Sequence, residues 1–362
     1  MSDNISKIDK NFAIKSEKSG KDIVFYDVRH EPFDVYGLYD YKNQPVFKRL
    51  PDEVAKNTNE GVAELYLNTA GGRVRFSTDS QYIAIKVSLK NAAHFSHCSK
   101  TGTSGIDMYI DYPDGNSRYK HLFIPELNMT DGVLESKINL YSRQMRYFTL
   151  NFPSYSGVES FYVGVSEDAQ IGGGLKYKNE LPVVFYGSSI TQGACASRPG
   201  NIYQNVISRR MGLDYINLGF SGNGRAEDTI VDYMAGLPMC AFVCDYDHNA
   251  PNAEHLRATH CNMYKKIRAA HPDIPYIMVS RHDFDCEYDK NIIRRDVIID
   301  TYRYARESGD RNVYYIDGAS IYRGPYEDMC TVDMIHPNDL GFALLADAIG
   351  AELKRAFTQN LM

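Results

Sequence analysis

Residues 181–357 alternate short apolar runs with longer stretches of helical periodicity, and this alternation limits the folds open to the chain. The apolar runs suited to strands cover 181–186, 215–220, 241–246, 276–280 and 313–316. The helical stretches include 201–211, 227–235, 253–270, 290–306 and 340–357. Apolar strands separated by helices are typical of a parallel sheet that is covered on both faces. We therefore predict an α/β domain with a mostly parallel sheet and right-handed crossovers.

Residues 1–175 have a different pattern, in which short β-branched or alternating runs are divided by turn signals. Such runs cover 22–28, 74–76, 82–89, 107–112, 141–152 and 161–166. Many short strands with turns between them are typical of a sandwich or jelly roll. Gly172-Gly173-Gly174 and the polar residues after it indicate a flexible link. We predict an all-β sandwich, jelly-roll-like, over 1–175 and the α/β domain over 176–362.

Composition argues against several classes of partner. The 362 residues carry a net charge of −6, which offers no basic surface for nucleic acid or an anionic membrane. No apolar run approaches the roughly 20 residues of a membrane span, and Met1 to Asn11 contain no apolar signal-peptide core. Seven scattered cysteines do not resemble a disulfide framework. We expect a cytoplasmic protein without nucleic-acid or membrane partners, and its oligomeric state stays open.

Four polar motifs lie where sites form in open α/β sheets, beyond the carboxyl ends of strands. They are Gly187-Ser188-Ser189-Ile190, Asn217-Leu218-Gly219-Phe220-Ser221-Gly222-Asn223-Gly224, Asp245-Tyr246-Asp247-His248-Asn249 and Asp333-Met334-Ile335-His336-Pro337. A serine hydroxyl needs a base and donors for the oxyanion before it acts as a nucleophile. The gap of three between Asp333 and His336 lets the carboxylate reach one imidazole nitrogen while the other faces Ser189. Taken alone, the first motif fits a helix cap equally well.

In this order the four motifs resemble those of the SGNH or GDSL-type hydrolases, which are serine esterases on a flavodoxin-like, three-layer α/β fold with a parallel sheet. The resemblance covers residues 181 to about 357. Tyr36-Gly37-Leu38-Tyr39 also resembles the Gly-x-x-Tyr signature of a β domain that precedes some members. The resemblance implies that Ser189 is the nucleophile, His336 the base and Asp333 the carboxylate that orients the base. It implies oxyanion donors from the Ser189 and Gly222 backbone and from the Asn249 amide.

The sequence departs from the family pattern at two positions. Ser188 replaces the usual acidic residue before the nucleophile, and Asp247 replaces the glycine two positions before Asn249. A carboxylate near an oxyanion hole is unfavourable unless it points away or pairs with a cation. Gly222 alone also fits an ordinary turn, and Asn249 alone also fits a helix cap.

Four further residues are candidates for substrate binding. Arg198 follows the nucleophile helix, although a position in a surface loop would account for it equally well. Arg281 ends the fourth strand, although a structural salt bridge would account for it equally well. Asp247 and His248 are the other two candidates, and local hydrogen bonding explains both of them. We expect no metal site. His94, His97 and Cys98 have suitable spacing, but no second cysteine pair completes the set.

The resemblance implies ester hydrolysis through an acyl-enzyme, without a metal or organic cofactor. Members with a preceding β domain resemble carbohydrate esterases, which favours an acetyl ester on a sugar or oligosaccharide as substrate. The alternatives are a small-chain carboxylesterase or lysophospholipase, and a non-catalytic glycan-binding protein that has kept the fold. We also predict that the β domain packs against the hydrolase and lends residues to one wall of the entrance.

Overall fold

The computed structural model describes residues 13–14, 22–90, 95–126 and 132–359. Its amino-terminal part is a sandwich of two antiparallel sheets. The strands in chain order are β1 (Ala13–Ile14), β2 (Ile23–Asp27), β3 (Asp34–Tyr36), β4 (Arg73–Thr78), β5 (Tyr82–Lys90), β6 (Ile106–Asp111), β7 (Ser117–Phe123), β8 (Val133–Asn139), β9 (Arg146–Asn151), β10 (Gly157–Ser166) and β11 (Ile171–Gly173). One sheet has the order β1-β2-β10-β5-β8 and the other β11-β4-β9-β6-β7, with β3 beside β4.

The core of the sandwich follows from the alternation of side chains along its strands. In β5, Ile83, Ile85 and Val87 face the interior and belong to one apolar cluster with Phe76 and Phe148 of the opposite sheet. Side chains along a strand point alternately to its two faces, so this pattern buries every second residue between the sheets. The predicted β-sandwich is confirmed.

The predicted glycine link is partly a strand. Gly172 and Gly173 belong to β11, whose residues pair antiparallel with β4, and the backbone N–H of Gly174 donates to Asp34. Glycine fits here because a Cβ on Gly174 would lie 2.5 Å from the Arg75 Cβ. The chain therefore leaves the sandwich after Gly174, and the connection to the second sheet is shorter than the sequence suggested.

The carboxyl-terminal part has a five-stranded parallel sheet of order β13-β12-β14-β15-β16. Its strands are β12 (Val183–Gly187), β13 (Tyr215–Gly219), β14 (Ala241–Asp245), β15 (Tyr276–Val279) and β16 (Val313–Ile316). With β12 counted first, the order is 2-1-3-4-5, which is the flavodoxin-like topology. The register pairs Gly187 with Gly219 and with Asp245, so three neighbouring strands end at the same level.

Helices cover both faces of this sheet. The helices in chain order are α1 (Asp52–Thr58), α2 (Glu60–Leu65) and α3 (Lys100–Thr103) in the sandwich, then α4 (Ser189–Gln192), α5 (Tyr203–Met211), α6 (Asp228–Ala235), α7 (Ala253–Ala270), α8 (Tyr288–Glu307) and α9 (Asp339–Gln359). Val184 and Tyr186 pack in a cluster with residues of α6, α7 and α8, whereas Val183 and Phe185 pack with residues of α5 and α9. The predicted three-layer α/β fold is confirmed.

The two parts of the chain are joined by buried polar contacts. Arg49 of the sandwich is 2% exposed and donates to the carbonyl oxygens of Asn217 (3.3 Å) and Gly219 (2.5 Å) around the end of β13. At the opposite end of β13, Arg73 pairs with Asp214. Among the helices within the described ranges, none is long and apolar enough to cross a membrane.

Candidate active site

Ser189 lies at the sharp turn from β12 into α4. The preceding Gly187 admits no side chain, because a Cβ there would lie 2.1 Å from Thr191 Oγ1 and 2.3 Å from the Asp245 carbonyl oxygen. Ser188 caps α4, since its Oγ accepts from the backbone N–H of Ile190 at 3.1 Å. The family that the motifs resemble usually has an acidic residue at this position. In this chain the position is occupied by Ser188, whose hydroxyl caps the helix.

Three side chains form a continuous hydrogen-bonded chain at this edge of the sheet. Ser189 Oγ lies 2.9 Å from His336 Nε2, and His336 Nδ1 lies 2.7 Å from Asp333 Oδ2. Asp333 Oδ1 also accepts from the backbone N–H of His336 at 2.7 Å, which fixes the carboxylate relative to the ring. Partial burial raises the pKa of Asp333, but hydrogen bonds and the charge of His336 outweigh it and leave that pKa below its ordinary value. The carboxylate therefore stays ionised beside the imidazole.

The loop after β13 lies beside the Asn249 side chain. Gly222 has φ 70°, a left-handed conformation that favours glycine. Asn249 Nδ2 donates one hydrogen to the Phe220 carbonyl oxygen at 2.7 Å, and an amide nitrogen carries a second hydrogen. A Cβ on Gly224 would meet both the Gly187 carbonyl oxygen at 2.2 Å and Asn249 Nδ2 at 3.4 Å, so the loop, β12 and Asn249 are in close contact.

Asp247 is paired inside the protein. Its Oδ1 accepts from Arg294 Nε at 2.8 Å, and its Oδ2 accepts from the Arg281 backbone N–H at 3.2 Å. The carboxylate is 2% exposed, and the Arg294 guanidinium of α8 offsets its charge. This pairing explains how the chain accommodates a carboxylate two residues before Asn249.

The other residues predicted to bind substrate also contact protein groups. Asp283 accepts from His248 Nε2 at 2.9 Å and from the Arg281 guanidinium at 2.6 Å. Burial raises the pKa of Asp283, but His248 and Arg281 outweigh it and hold that pKa well below its ordinary value. Arg198 pairs with buried Asp107 of the sandwich at 3.1 Å. Contact of Arg198, Arg281, Asp247 and His248 with substrate stays a prediction.

The sandwich contributes side chains next to Ser189 that the sequence did not single out for this role. The Tyr155 hydroxyl donates to the Ser189 carbonyl oxygen at 3.3 Å, and Phe95 packs edge-on against the Tyr155 ring. The His97 ring centroid lies 5.3 Å from that of His336. The predicted contact of the β domain with the hydrolase is confirmed. The sequence signals for these contacts were weak, namely aromatic rings at Phe95 and His97 in a polar loop and at Tyr155 in a turn.

Two groups of side chains among the described residues have ligand atoms close enough to hold a metal ion. One contains His97, Cys98 and Cys195, and the other His97, Asp333 and His336. Cys195 follows α4 and joins His97 and Cys98, two members of the set that the sequence suggested from spacing. His94, also considered from its spacing, lies outside the described residues.

Comparison with known families accounts for most of the chain. Residues 180–354 match the GDSL-like lipase/acylhydrolase family, and residues 23–171 match the family described as the N-terminus of esterases of the SGNH hydrolase type. The two matches meet near the end of β11 and the start of β12. Among curated protein sequences, none matches this chain.

Solved structures agree with both matches. A protein described as a GDSL-like lipase from Bacteroides ovatus is 26% identical, with a TM-score of 0.82 over 93% of this chain and 98% of its own. A salicylyl-acyltransferase from a tetracycline biosynthetic pathway is 20% identical, with a TM-score of 0.73 over 91% and 96%. A family two carbohydrate esterase from Clostridium thermocellum is 14% identical, with a TM-score of 0.58 over 80% and 94%. The chain is therefore a carboxylic ester hydrolase, in which residues 180–354 are of the GDSL-like lipase/acylhydrolase type and residues 23–171 are the N-terminal domain of SGNH-type esterases.

Proposed function

We propose that Ser189 is the nucleophile of this esterase, His336 its general base and Asp333 the residue that orients the base. The observation that carries the proposal is the chain of hydrogen bonds from Ser189 Oγ through both imidazole nitrogens to Asp333, at 2.9 and 2.7 Å. Such an arrangement lets the imidazole take the serine proton as the hydroxyl attacks the ester carbonyl. The bound carboxylate then stabilises the imidazolium that forms.

The oxyanion of the tetrahedral intermediate needs donors that are already in position. We propose that these donors are the backbone N–H groups of Ser189 and Gly222 and the second amide hydrogen of Asn249. One such donor can lower the activation barrier by about 3 kcal/mol. His336 next returns its proton to the alcohol that leaves, and an acyl-enzyme remains on Ser189. The same imidazole then activates a water molecule, which releases the acid. These steps need no metal or organic cofactor.

We propose acetyl groups on a carbohydrate as the substrate class. The similarity to a carbohydrate esterase supports a sugar. Tyr155 of the sandwich lies next to Ser189 with Phe95 packed edge-on against it, and aromatic side chains in this place would narrow the entrance, which supports a short acyl group.

We also propose that the chain divides into a domain over 1–175 and a hydrolase domain over 176–362, with recognition of the larger part of the substrate shared between them. Tyr155 and His97 of the sandwich lie next to Ser189 and His336, which supports a shared entrance. The cytoplasmic location expected from the cysteine pattern stays a prediction.

The test of the nucleophile is Ser189→Ala with 4-nitrophenyl acetate as substrate. We expect loss of turnover by roughly 10⁴-fold or more with unchanged folding, because the hydroxyl acts in the chemistry and contributes little to packing. A fluorophosphonate probe should label the wild type at this serine. Ser320→Ala is the matched control, since Ser320 is an exposed residue whose hydroxyl bonds only to the Asp317 carbonyl oxygen in the contacts described. Wild-type turnover in folded Ser189→Ala would refute the assignment.

Substrate class is tested with two series. One is 4-nitrophenyl esters from acetate to octanoate, and the other is acetylated oligosaccharides. We expect kcat/KM to fall with each added methylene and to be highest on an acetylated glycan. A rise with chain length would favour the lipase-like alternative. Binding of glycans without turnover of either series would favour the non-catalytic alternative.

A further inference from the structure

Beside His336, two thiols and an imidazole from different parts of the chain meet. His97 and Cys98 lie in the sandwich loop just before α3, and Cys195 follows α4 of the hydrolase. Cys98 Sγ lies 3.5 Å from Cys195 Sγ. The ligand atoms of His97, Cys98 and Cys195 all lie within 4.8 Å of one another. The two sulfurs are therefore neighbours across the contact between the domains.

This geometry fits a tetrahedral Zn²⁺ ion. Zinc binds thiolate sulfur at about 2.3 Å, so two thiolates on one tetrahedral ion lie about 3.8 Å apart. The observed 3.5 Å between Cys98 Sγ and Cys195 Sγ is close to that distance. Two thiolates with one imidazole also form a donor set that zinc commonly takes in proteins, with an open fourth position for water.

The backbone holds Cys195 in an uncommon conformation. Its φ is 68°, in the left-handed region that non-glycine residues rarely adopt. The thiol donates to the His97 carbonyl oxygen at 3.4 Å and lies against Cys98. Strained backbone of this kind is concentrated at binding and catalytic sites. Here the conformation turns the Cys195 sulfur toward the sandwich loop.

We propose that His97, Cys98 and Cys195 bind one Zn²⁺ ion, with water as the fourth ligand, and that the ion joins the sandwich to the hydrolase beside His336. Binding releases the two thiol protons to solvent. The ion is not part of the proposed ester hydrolysis, because Ser189, His336, Asp333 and the oxyanion donors act without it. The zinc site rests on the proposed function in one respect only, namely that the neighbouring imidazole of His336 is catalytic.

The experiment uses the full chain, stripped of metal with a chelator and kept reduced with a phosphine. Zn²⁺ is titrated in competition with a chromophoric chelator. We expect one equivalent to bind, and Cys98→Ser or Cys195→Ser to weaken that binding by roughly 100-fold or more. Cys261→Ser is the matched control, since Cys261 is a partly exposed thiol on α7, and it should bind as the wild type does.

Two readouts separate this site from the proposed esterase. Co²⁺ in place of Zn²⁺ should give a sulfur-to-metal charge-transfer band that each Cys→Ser variant lacks. Zn²⁺ should raise the melting temperature of the wild type by roughly 2 °C or more, while a chelator leaves the initial rate of ester hydrolysis unchanged. If the wild type hydrolyses no ester but still binds Zn²⁺ through the two thiols, the proposed function is refuted and the zinc site is not.

The zinc proposal would be overturned by the absence of stoichiometric binding. It would also be overturned by binding that survives both Cys→Ser variants, or by a Cys98–Cys195 disulfide that persists in the reductant. Binding that disappears only in His336→Ala would assign the ion to the group of His97, Asp333 and His336 and would equally refute it.

Discussion

At the scale of single residues, the proposed role of the His336 imidazole is to carry the proton between Ser189 and the departing groups. Its two nitrogens have different partners, because Nε2 faces Ser189 and Nδ1 faces Asp333. The Asp333 carboxylate therefore selects the tautomer with the proton on Nδ1, which leaves Nε2 free to accept. On this proposal, removal of the ring should abolish proton transfer, whereas removal of the charge on Asp333 should only weaken it.

We expect His336→Ala to lower kcat by roughly 10⁶-fold and Asp333→Asn by roughly 10⁴-fold. The loss is smaller for Asp333→Asn because its amide oxygen can still accept from the backbone N–H of His336. Steady-state kinetics on 4-nitrophenyl acetate, with circular dichroism to verify folding, measures both. Wild-type kcat in folded His336→Ala would contradict the role of this base.

Asp245 offers a second test at the residue scale. It ends β14, is 1% exposed and accepts from Thr191 and from the Tyr203 hydroxyl, each at 3.2 Å. Burial raises the pKa of Asp245 from 3.8 to about 6, although His248, Thr191 and Tyr203 partly offset this. The folded state then holds a proton that the unfolded state releases between these values. The contribution of Asp245 to stability is thus complete below pH 3.8 and falls as the pH rises to about 6.

We expect the free energy of unfolding of the wild type, relative to Asp245→Asn, to fall by up to about 3 kcal/mol between pH 4 and pH 7. The amide cannot ionise, so the variant lacks this pH dependence while its oxygen still accepts from Thr191. Urea unfolding at several pH values measures the free energy of unfolding of both proteins. Groups that titrate equally in the wild type and in Asp245→Asn cancel when the two values are subtracted. A difference that rises with pH would show that Asp245 is ionised in the folded protein throughout this range.

At the scale of elements, α8 holds the turn that carries Asn249. Arg294 donates from Nε to Asp247 at 2.8 Å and from its second guanidinium nitrogen to the Ala250 carbonyl oxygen at 3.0 Å and to the Asp247 carbonyl oxygen. One buried side chain thus binds both ends of the 3-10 turn Asp247–Asn249. The position of the Asn249 amide therefore depends on a helix about 45 residues further along the chain.

We expect Arg294→Met to lower the free energy of unfolding by about 3–5 kcal/mol, because it leaves the Asp247 carboxylate buried without a cation. The added change Asp247→Asn should recover part of this loss, since no charge then stays buried. Arg303→Met on the same helix is the control, and its exposed pair with Asp300 should change stability by less than about 1 kcal/mol. Urea unfolding checks all of them. Equal effects of Arg294→Met and Arg303→Met would refute the role of Arg294.

At the scale of the whole molecule, the buried side chain of Arg49 contacts both parts of the chain. Arg49 donates to the carbonyl oxygens of Leu65 (2.8 Å) and Asn68 (2.7 Å) in the sandwich, and to Asn217 and Gly219 in the hydrolase. Its guanidinium also lies 4.4 Å from the centre of the Phe220 ring. These contacts lie at the base of the loop that carries Gly222, so the contact between the domains adjoins the proposed oxyanion hole.

We expect Arg49→Met to lower the free energy of unfolding by about 3–5 kcal/mol and to reduce kcat, because four carbonyl oxygens lose a charged donor, two of them in buried contacts. Arg210→Met is the control, since Arg210 forms an exposed pair with Asp347 and should matter by less than about 1 kcal/mol. Calorimetry should show that Arg49→Met separates the unfolding of the two domains. A single, unshifted transition would mean that other contacts hold them together.

The sequence by itself determined the features that depend on local pattern. Apolar runs of strand length with helical stretches between them identified the parallel sheet, because periodicity is a property of neighbouring residues. The helix predicted over 253–270 agrees with α7, Ala253–Ala270. The turn after β12 made Ser189 a candidate, and a spacing of three made Asp333 and His336 candidates, whereas their proposed roles came from the resemblance to the SGNH hydrolases. The single strand expected over 141–152 was too long, since β9 begins at Arg146.

Only the tertiary structure decided which distant residues meet. Ser189 and His336 are 147 positions apart, and only the folded chain brings their polar atoms to 2.9 Å. Folding of the chain likewise brings Asp247 to Arg294 and Cys98 to Cys195. No local pattern reports such contacts, because they depend on the order of strands in the sheet and on how the sandwich docks against it.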